Sequence, residues 1–148
     1  MRTLTLALLI LALGAGACGP KNAAPTRQPL GTELVSDDSG DFELTIEWMP
    51  AGDRTVQIHL GMKAVGLEEM DKVVVEVDHE GFQIVEGTLE WMGFVPPRQP
   101  QSHSVTLQAL ADASDPVISV DVFRSVDSKL LYHKEIPFIV SGTSISPR

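Results

Sequence analysis

Apolar and polar residues alternate along much of the chain with the two-residue period of β-strands. Residues 73–93, VVVEVDHEGFQIVEGTLEWMG, show this pattern most clearly. In the first strand of the segment three valines would share one face, while Glu76 and Asp78 would lie on the other. Glycines at positions 81 and 87 interrupt the alternation, as turns and strand ends do. The segment therefore predicts strands with one buried and one solvated face.

From residue 33 onward the chain continues as short alternating rows, separated by turn sequences about every ten residues. We expect about seven or eight strands and an immunoglobulin-like antiparallel β-sandwich over residues 33–141, with a small barrel as the alternative. Pro137 is expected to break the last strand or to leave it at an edge, and residues 142–148 are predicted to form a flexible tail. The predicted inward rows are Phe42, Leu44, Ile46 and Trp48; Val56, Ile58, Leu60 and Met62; Val105, Leu107 and Ala109; Ile118, Val120 and Val122; and Leu130 and Tyr132.

Residues 1–17 predict a secretory signal peptide, because one positive charge precedes an apolar run over residues 4–13 and then a group of small residues. Residues 15–18, Ala-Gly-Ala-Cys, resemble the lipobox of bacterial lipoproteins, with alanine at the first position where that family most often has leucine. The resemblance implies cleavage before Cys18 and acylation of that cysteine. Gly19 implies sorting to a bacterial outer membrane, with the protein facing the periplasm. A plain signal peptide is the alternative.

The segment after the signal, residues 18–32, has three prolines and no apolar periodicity. Such a composition buries too little surface to order itself. We expect a disordered, lipidated tether. Each buried acyl methylene adds about 0.8 kcal/mol to membrane binding, so several acyl chains would give a durable anchor.

Composition and charge narrow the classes of partner. The 148 residues suffice for one core, and 20 acidic residues against 11 basic ones give a formal net charge of −9. An acidic surface disfavours nucleic acid and anionic lipid surfaces, which bind through basic patches. Cys18 is the single cysteine, which excludes an internal disulfide.

A further resemblance concerns the central segment. VVVEVDHEGFQIVEGTLEW is followed, after a proline-rich loop, by SHSVTLQAL and VISVDVF. This succession of strand, glycine, apolar pair, glycine and tryptophan-bearing strand resembles the cell-adhesion-related and fibronectin-like immunoglobulin modules of secreted bacterial proteins. The resemblance implies a spacer, an adhesive surface or an assembly adaptor, and it brings no catalytic residues.

Candidates for chemistry are few. Met49 and His59 would both point outward near one hairpin and are the candidate ligands for copper or zinc, whereas a solvated histidine is the alternative reading of His59. The acidic turn at residues 37–41 departs from the EF-hand spacing, which favours a solvated turn over a calcium site. Glu76, Asp78 and Glu80 form an acidic stripe that would either protect a sheet edge and aid solubility or steer a basic partner.

The proline-rich loop is the predicted protein-binding surface. Stiff loops lose little entropy on binding, and exposed aromatic residues anchor interfaces. The alternative is that the loop only crosses between sheets. The candidate binding residues are Phe94, Pro96, Pro97, Arg98 and Pro100.

The sequence therefore predicts a membrane-anchored envelope lipoprotein that binds another envelope protein or supports an assembly, without catalysis, cofactor or nucleic acid. A periplasmic carrier of copper or zinc and a purely structural spacer are the alternatives.

Overall fold

The computed structural model describes residues 28–37, 40–65 and 72–148, with the backbone alone at 30, 32–37, 40 and 41. The predicted signal peptide and Cys18 lie outside the described residues. The described residues form ten strands: β1 (Gln28–Asp37), β2 (Gly40–Gly52), β3 (Thr55–Ala64), β4 (Val73–Glu80), β5 (Phe82–Gly87), β6 (Glu90–Gly93), β7 (Gln101–Ala109), β8 (Val117–Arg124), β9 (Lys129–Ser141) and β10 (Ser144–Pro147).

The strands form two antiparallel sheets that pack face to face. The first sheet has the order β1-β2-β3-β7-β5 and the second the order β10-β9-β8-β4-β6. Within them, β2-β3-β7-β5 and β9-β8-β4 reproduce the A-B-E-D and G-F-C orders of immunoglobulin domains. The predicted immunoglobulin-like antiparallel β-sandwich is thus confirmed, but with ten strands rather than seven or eight, because β1, β6 and β10 add to the edges.

The core lies between the two sheets and is built from alternate residues of each strand. Phe82 of β5 and Phe138 of β9 meet across the sandwich edge to face, with ring centroids 5.6 Å apart. The predicted inward rows of β2, β3, β7 and β8 are buried, except that Trp48 is half-buried. In the last row Tyr132 is buried but Leu130 is 51% exposed.

The exposure of Leu130 has a local cause. The register between β8 and β9 shifts where Val122 pairs with Tyr132 and Phe123 pairs with Leu130, so that Leu131 is an extra residue in a bulge. Because a bulge reverses the alternation of side chains beyond it, Leu130 turns to the outer face.

Both ends of the predicted domain extend further than expected. Strand β1 begins at Gln28, so residues 28–32 belong to the sheet rather than to the predicted tether. The predicted flexible tail is wrong, because Ser144–Pro147 pairs with β9 and Ile145 is buried. A two-residue turn joins these strands, with Gly142 at a φ of 61°, the backbone that type II′ hairpins require at this position.

The prediction that Pro137 breaks the last strand is wrong, because β9 continues through this residue. The ladder between β9 and β10 ends at Phe138, so Pro137 lies just beyond that pairing. The Pro137 carbonyl accepts a hydrogen bond from the Arg148 backbone N–H at 2.8 Å. The N–H and C=O of one strand residue point to the same side, so the missing proline N–H faces the end of β10. Only one possible ladder bond at that end is therefore lost.

The chain changes sheets between β4 and β5. Gly81 has a φ of 77°, and a Cβ there would lie 3.1 Å from the Cβ atoms of Ala113 and Pro116. Glycine suits both the left-handed backbone and the close approach. This crossing leaves β4 in the interior of the second sheet, between β8 and β6.

Candidate interaction surface

An apolar row crosses the outer face of the second sheet. Val74 of β4 pairs with Met92 of β6 on one side and with Phe123 of β8 on the other. Phe123 in turn pairs with Leu130 of β9. Met92 is 48% exposed, and Val74 and Phe123 are half-buried without belonging to the core between the sheets. Four neighbouring strands thus present large apolar side chains to solvent in one line.

The apolar row borders an open groove of about 240 Å³. Its lining combines Val74 and Phe123 with Arg124 and serine side chains from the turn that joins β8 to β9. Val126, in the same turn, is 76% exposed and adds a further apolar side chain next to the row. Contiguous exposed apolar residues with a polar rim are typical of interaction sites, whereas single ones are common on any surface.

An acidic row runs beside the apolar one, two residues further along the strands. Glu76 of β4 pairs with Glu90 of β6 and with Asp121 of β8, so that three carboxylates lie on adjacent strands. A second groove, of about 350 Å³, lies along this row and includes Asp78 and Leu89. Glu76 lines both grooves.

The position of β4 bears on the predicted acidic stripe. Glu76, Asp78 and Glu80 are exposed on the outer face, as predicted. Edge protection does not account for Glu76, because β4 is hydrogen-bonded to both β8 and β6 at this residue. Asp78 and Glu80 lie beyond the end of the pairing with β6, so edge protection stays the prediction for them. Three further acids nearby in the sequence, Glu68, Glu69 and Asp71, lie outside the described residues.

His133 terminates the acidic row on β9. Its Nδ1 lies 2.6 Å from Oδ1 of Asp121, and its Nε2 lies 3.9 Å from Oε1 of Glu135. Asp121 therefore already has a hydrogen-bond partner within the protein. Glu76 and Glu90 lie at the other end of the row, away from this histidine.

A buried arginine anchors the turn beside the apolar row. Arg124 is 8% exposed and donates hydrogen bonds from Nε and Nη2 to the two carboxylate oxygens of Asp127, at 3.0 and 2.5 Å. The Arg124 guanidinium lowers the pKa of Asp127 from its usual 3.8 to about 2, because these hydrogen bonds favour the ionised carboxylate. The bidentate pair fixes the turn that forms one wall of the groove.

The proline-rich loop is folded rather than extended. Val95 is fully buried, and Pro97 forms an isolated parallel bridge with Ala64 of β3. The Gln99 N–H donates to the Pro96 carbonyl at 3.2 Å, and Arg98 has a φ of 60°. Proline in the second position and a positive φ in the third are the features of a type II turn.

The five predicted binding residues of this loop therefore differ in their exposure to solvent. Phe94 is 56% exposed, Arg98 and Pro100 are exposed, and Pro96 and Pro97 are half-buried against the domain. The binding role of the loop stays a prediction.

The candidate metal ligands lie on the outer face of the first sheet. His59 pairs with Glu47, and Met49 pairs with Gln57 two residues further along the same ladder. The His59 Nδ1 lies 2.7 Å from Oγ of Ser104. Among residues 28–37, 40–65 and 72–148, no group of three or more histidine, cysteine, aspartate or glutamate side chains is placed to hold a metal ion.

The acidic turn that was considered for calcium joins β1 to β2. Asp37 and Gly40 pair in the ladder, and residues 38 and 39 between them lie outside the described residues. In the described part of the chain, no helix has the length and hydropathy needed to cross a membrane.

Sequence reasoning missed the apolar row. One signal was available, since Val74 occupies an outward position next to Glu76 and Asp78. Its alignment with Met92 and Phe123 depends on pairing between strands that are distant in sequence, which the local pattern does not contain.

The comparisons with known proteins give a likeness of structure but none of sequence. No protein-family model matches the chain, and neither does a curated protein sequence. Among solved structures, the chain is similar to the GAE domain of GGA2p from Saccharomyces cerevisiae, with a TM-score of 0.40 and 12% sequence identity. The alignment covers 76% of this chain and 99% of that domain. The immunoglobulin-like fold assigned above follows from the strand order and register.

Proposed function

We propose that this protein is a membrane-anchored envelope lipoprotein whose β-sandwich binds a partner protein, without catalysis of its own. The observation that carries the proposal is the apolar row of Val74, Met92, Phe123 and Leu130 on the outer face of the second sheet. Exposing such side chains to water is unfavourable, so a partner that covers them gains free energy.

The outer faces of the two sheets differ in polarity, which favours one of them as the binding surface. On the first sheet the outward positions of β3 include Gln57, His59 and Lys63, and β7 presents Ser104 opposite His59. These two strands of the first sheet present no comparable apolar row, although Ile84 and Val85 of its edge strand β5 are exposed. We place the binding surface on the outer face of the second sheet and not on the proline-rich loop.

The anchoring part of the proposal is supported by the sequence. The signal-like residues 1–17, the lipobox-like Ala-Gly-Ala-Cys at 15–18 and the position of the single cysteine, Cys18, favour acylation and export to a bacterial outer membrane. Facing the periplasm, the folded domain would meet other envelope proteins close to the membrane.

Site-specific photocrosslinking in the native envelope tests the binding function. A photoreactive amino acid replaces Met92 in the apolar row, and in a matched strain it replaces Lys63, an exposed residue on the opposite face. We expect a discrete crosslinked protein from position 92 and none, or a different pattern, from position 63. Both variants should be made and exported at the wild-type level.

Two results would contradict the proposal. Crosslinking from neither position would favour a structural spacer. The same set of products from both positions would indicate random encounters in the envelope rather than a binding face.

A further inference from the structure

We propose that the partner presents a basic amphipathic segment to the outer face of the second sheet. Its apolar side chains would cover the apolar row, and its lysine or arginine side chains would lie against the acidic row. This inference rests on the proposed function and adds the chemical class of the partner.

The first argument concerns the acidic row. Glu76 pairs directly with Glu90 on one neighbouring strand and with Asp121 on the other. Like charges placed directly opposite each other in a ladder destabilise a sheet. The arrangement thus opposes folding of the free protein, and cations from a partner would relieve the repulsion.

The second argument is that one groove lies along each row and that the two grooves meet. Glu76 lines both the groove beside Val74 and Phe123 and the groove beside Glu90 and Asp121. A ligand that fills both grooves must carry apolar groups on one side and positive groups on the adjacent side. A segment with apolar residues on one face and charged residues on the adjacent face is amphipathic.

The third argument is one of dimensions. Three steps of about 4.8 Å separate β6 from β9, so the apolar row is about 14 Å long, and the acidic row lies about 7 Å away along the strands. An α-helix rises 1.5 Å per residue and is about 10 Å wide, so about ten helical residues would cover both rows.

Two other occupants fit the face less well. A second copy in a two-fold contact would place the same surface, with its carboxylates, against itself. An anionic membrane surface would meet Glu76, Asp78 and Glu90 with like charge. A basic protein segment avoids both penalties.

Binding of a defined peptide tests the inference. The probe is a dye-labelled 12-residue peptide of leucine and lysine with helical spacing, and its partner is the full acylated protein in a fixed concentration of non-ionic detergent. We expect saturable binding that weakens at least tenfold in the double variant Glu76→Gln and Glu90→Gln. Replacing Met92 and Leu130 by threonine should weaken binding as well.

Matched controls separate this face from the overall charge. The double variant Glu86→Gln and Asp112→Asn removes the same two charges elsewhere, at exposed positions on β5 and on the loop after β7, and should weaken binding less than twofold. The Glu76 and Glu90 variant should unfold at a denaturant concentration no lower than the wild type, because it relieves repulsion. A peptide with glutamate in place of lysine should not bind.

Several outcomes would overturn the inference. Equal weakening by the two double variants would show general charge attraction. Binding of the glutamate peptide, binding to anionic vesicles by the unacylated Cys18→Ala chain, or a dimer that dissociates when Met92 is replaced would each assign the face to another occupant.

The two proposals fail separately. If position 92 crosslinks a partner in the envelope but the lysine–leucine peptide does not bind, the binding function stands and the basic partner is wrong. If the peptide binds as expected but no partner is crosslinked, the preference of this face for basic amphipathic segments stands and the proposed function is wrong.

Discussion

At the scale of single residues, the turn beside the apolar row depends on one ion pair. Arg124 is buried, whereas Asp127 is exposed, with 44% of its side-chain surface accessible to solvent. The arginine gains a charged partner close to the surface, and the aspartate orders the turn through a further hydrogen bond from the Lys129 N–H at 3.2 Å. Solvent screening limits the energy of such a pair, so its main effect is to hold the turn in one conformation.

We predict that Asp127→Asn lowers the stability at neutral pH and flattens its dependence on acid. The folded-state pKa of Asp127 is lowered from 3.8 to about 2, so its contribution is complete above about pH 4 and is lost as the pH falls towards about 2. Urea unfolding at pH 7, 4 and 2 should show the variant and the wild type converging as the pH falls.

Asp112→Asn is the control for this prediction, because it removes an exposed carboxylate from another loop. If the difference in unfolding free energy between Asp127→Asn and the wild type stays constant from pH 7 to pH 2, the ion pair is not the source of that difference. High salt should reduce this difference in unfolding free energy at pH 7.

At the scale of elements, a β-bulge in β9 and the tight turn after β9 shape the outer face and the edge of the second sheet. The bulge at Leu131 turns Leu130 outward and so extends the apolar row to β9. The tight turn at Gly142 returns the chain as β10, which pairs with residues 138–141 of β9 and buries Ile145. Without β10 these residues of β9 would be an unpaired edge as well, and unpaired edges favour aggregation.

We predict that Ile145→Ala destabilises the domain by about 2 kcal/mol, the lower part of the range for truncating a buried isoleucine. Ser146→Ala, on the exposed face of the same short strand, should change the free energy of unfolding by less than about 0.5 kcal/mol. Equal and small effects of the two variants in urea unfolding would mean that β10 is not part of the cooperative unit.

At the scale of the whole molecule, the proposal combines an anchor at one end with a binding face on the folded domain. The described strands begin at Gln28, ten residues after Cys18, so the segment that would join the proposed lipid to the domain is short. Ten residues reach at most about 35 Å when fully extended. A partner bound to the sandwich would therefore be held close to the membrane surface.

We predict that Cys18→Ala releases the protein from the membrane fraction or leaves its signal uncleaved. The wild-type protein should sediment with membranes and have an intact mass equal to residues 18–148 plus acyl chains. Cells carrying the empty vector serve as the control for the fractionation. A wild-type protein that is cleaved, soluble and unacylated would contradict the anchor and favour a freely diffusing binding protein.

The sequence by itself determined the fold class and most of the core. Alternation assigns each strand a buried and a solvated face, and this local signal was sufficient for rows such as Val56, Ile58, Leu60 and Met62, which are all fully buried. It was also sufficient to place Glu76 and Asp78 on the solvated face. It failed for Leu130, because a bulge depends on the register with the neighbouring strand.

Only the tertiary structure decided where the candidate site lies. Val74, Met92 and Phe123 are separated by 18 and 31 residues along the chain, and they become neighbours because β4 pairs with β6 and β8. The same pairing placed residues 73–76 of β4 between two strands, which removes edge protection as the reason for Glu76 but not for Asp78 and Glu80. A local pattern fixes the face on which each side chain lies, but strand order and register fix its neighbours, and these depend on contacts between residues distant in sequence.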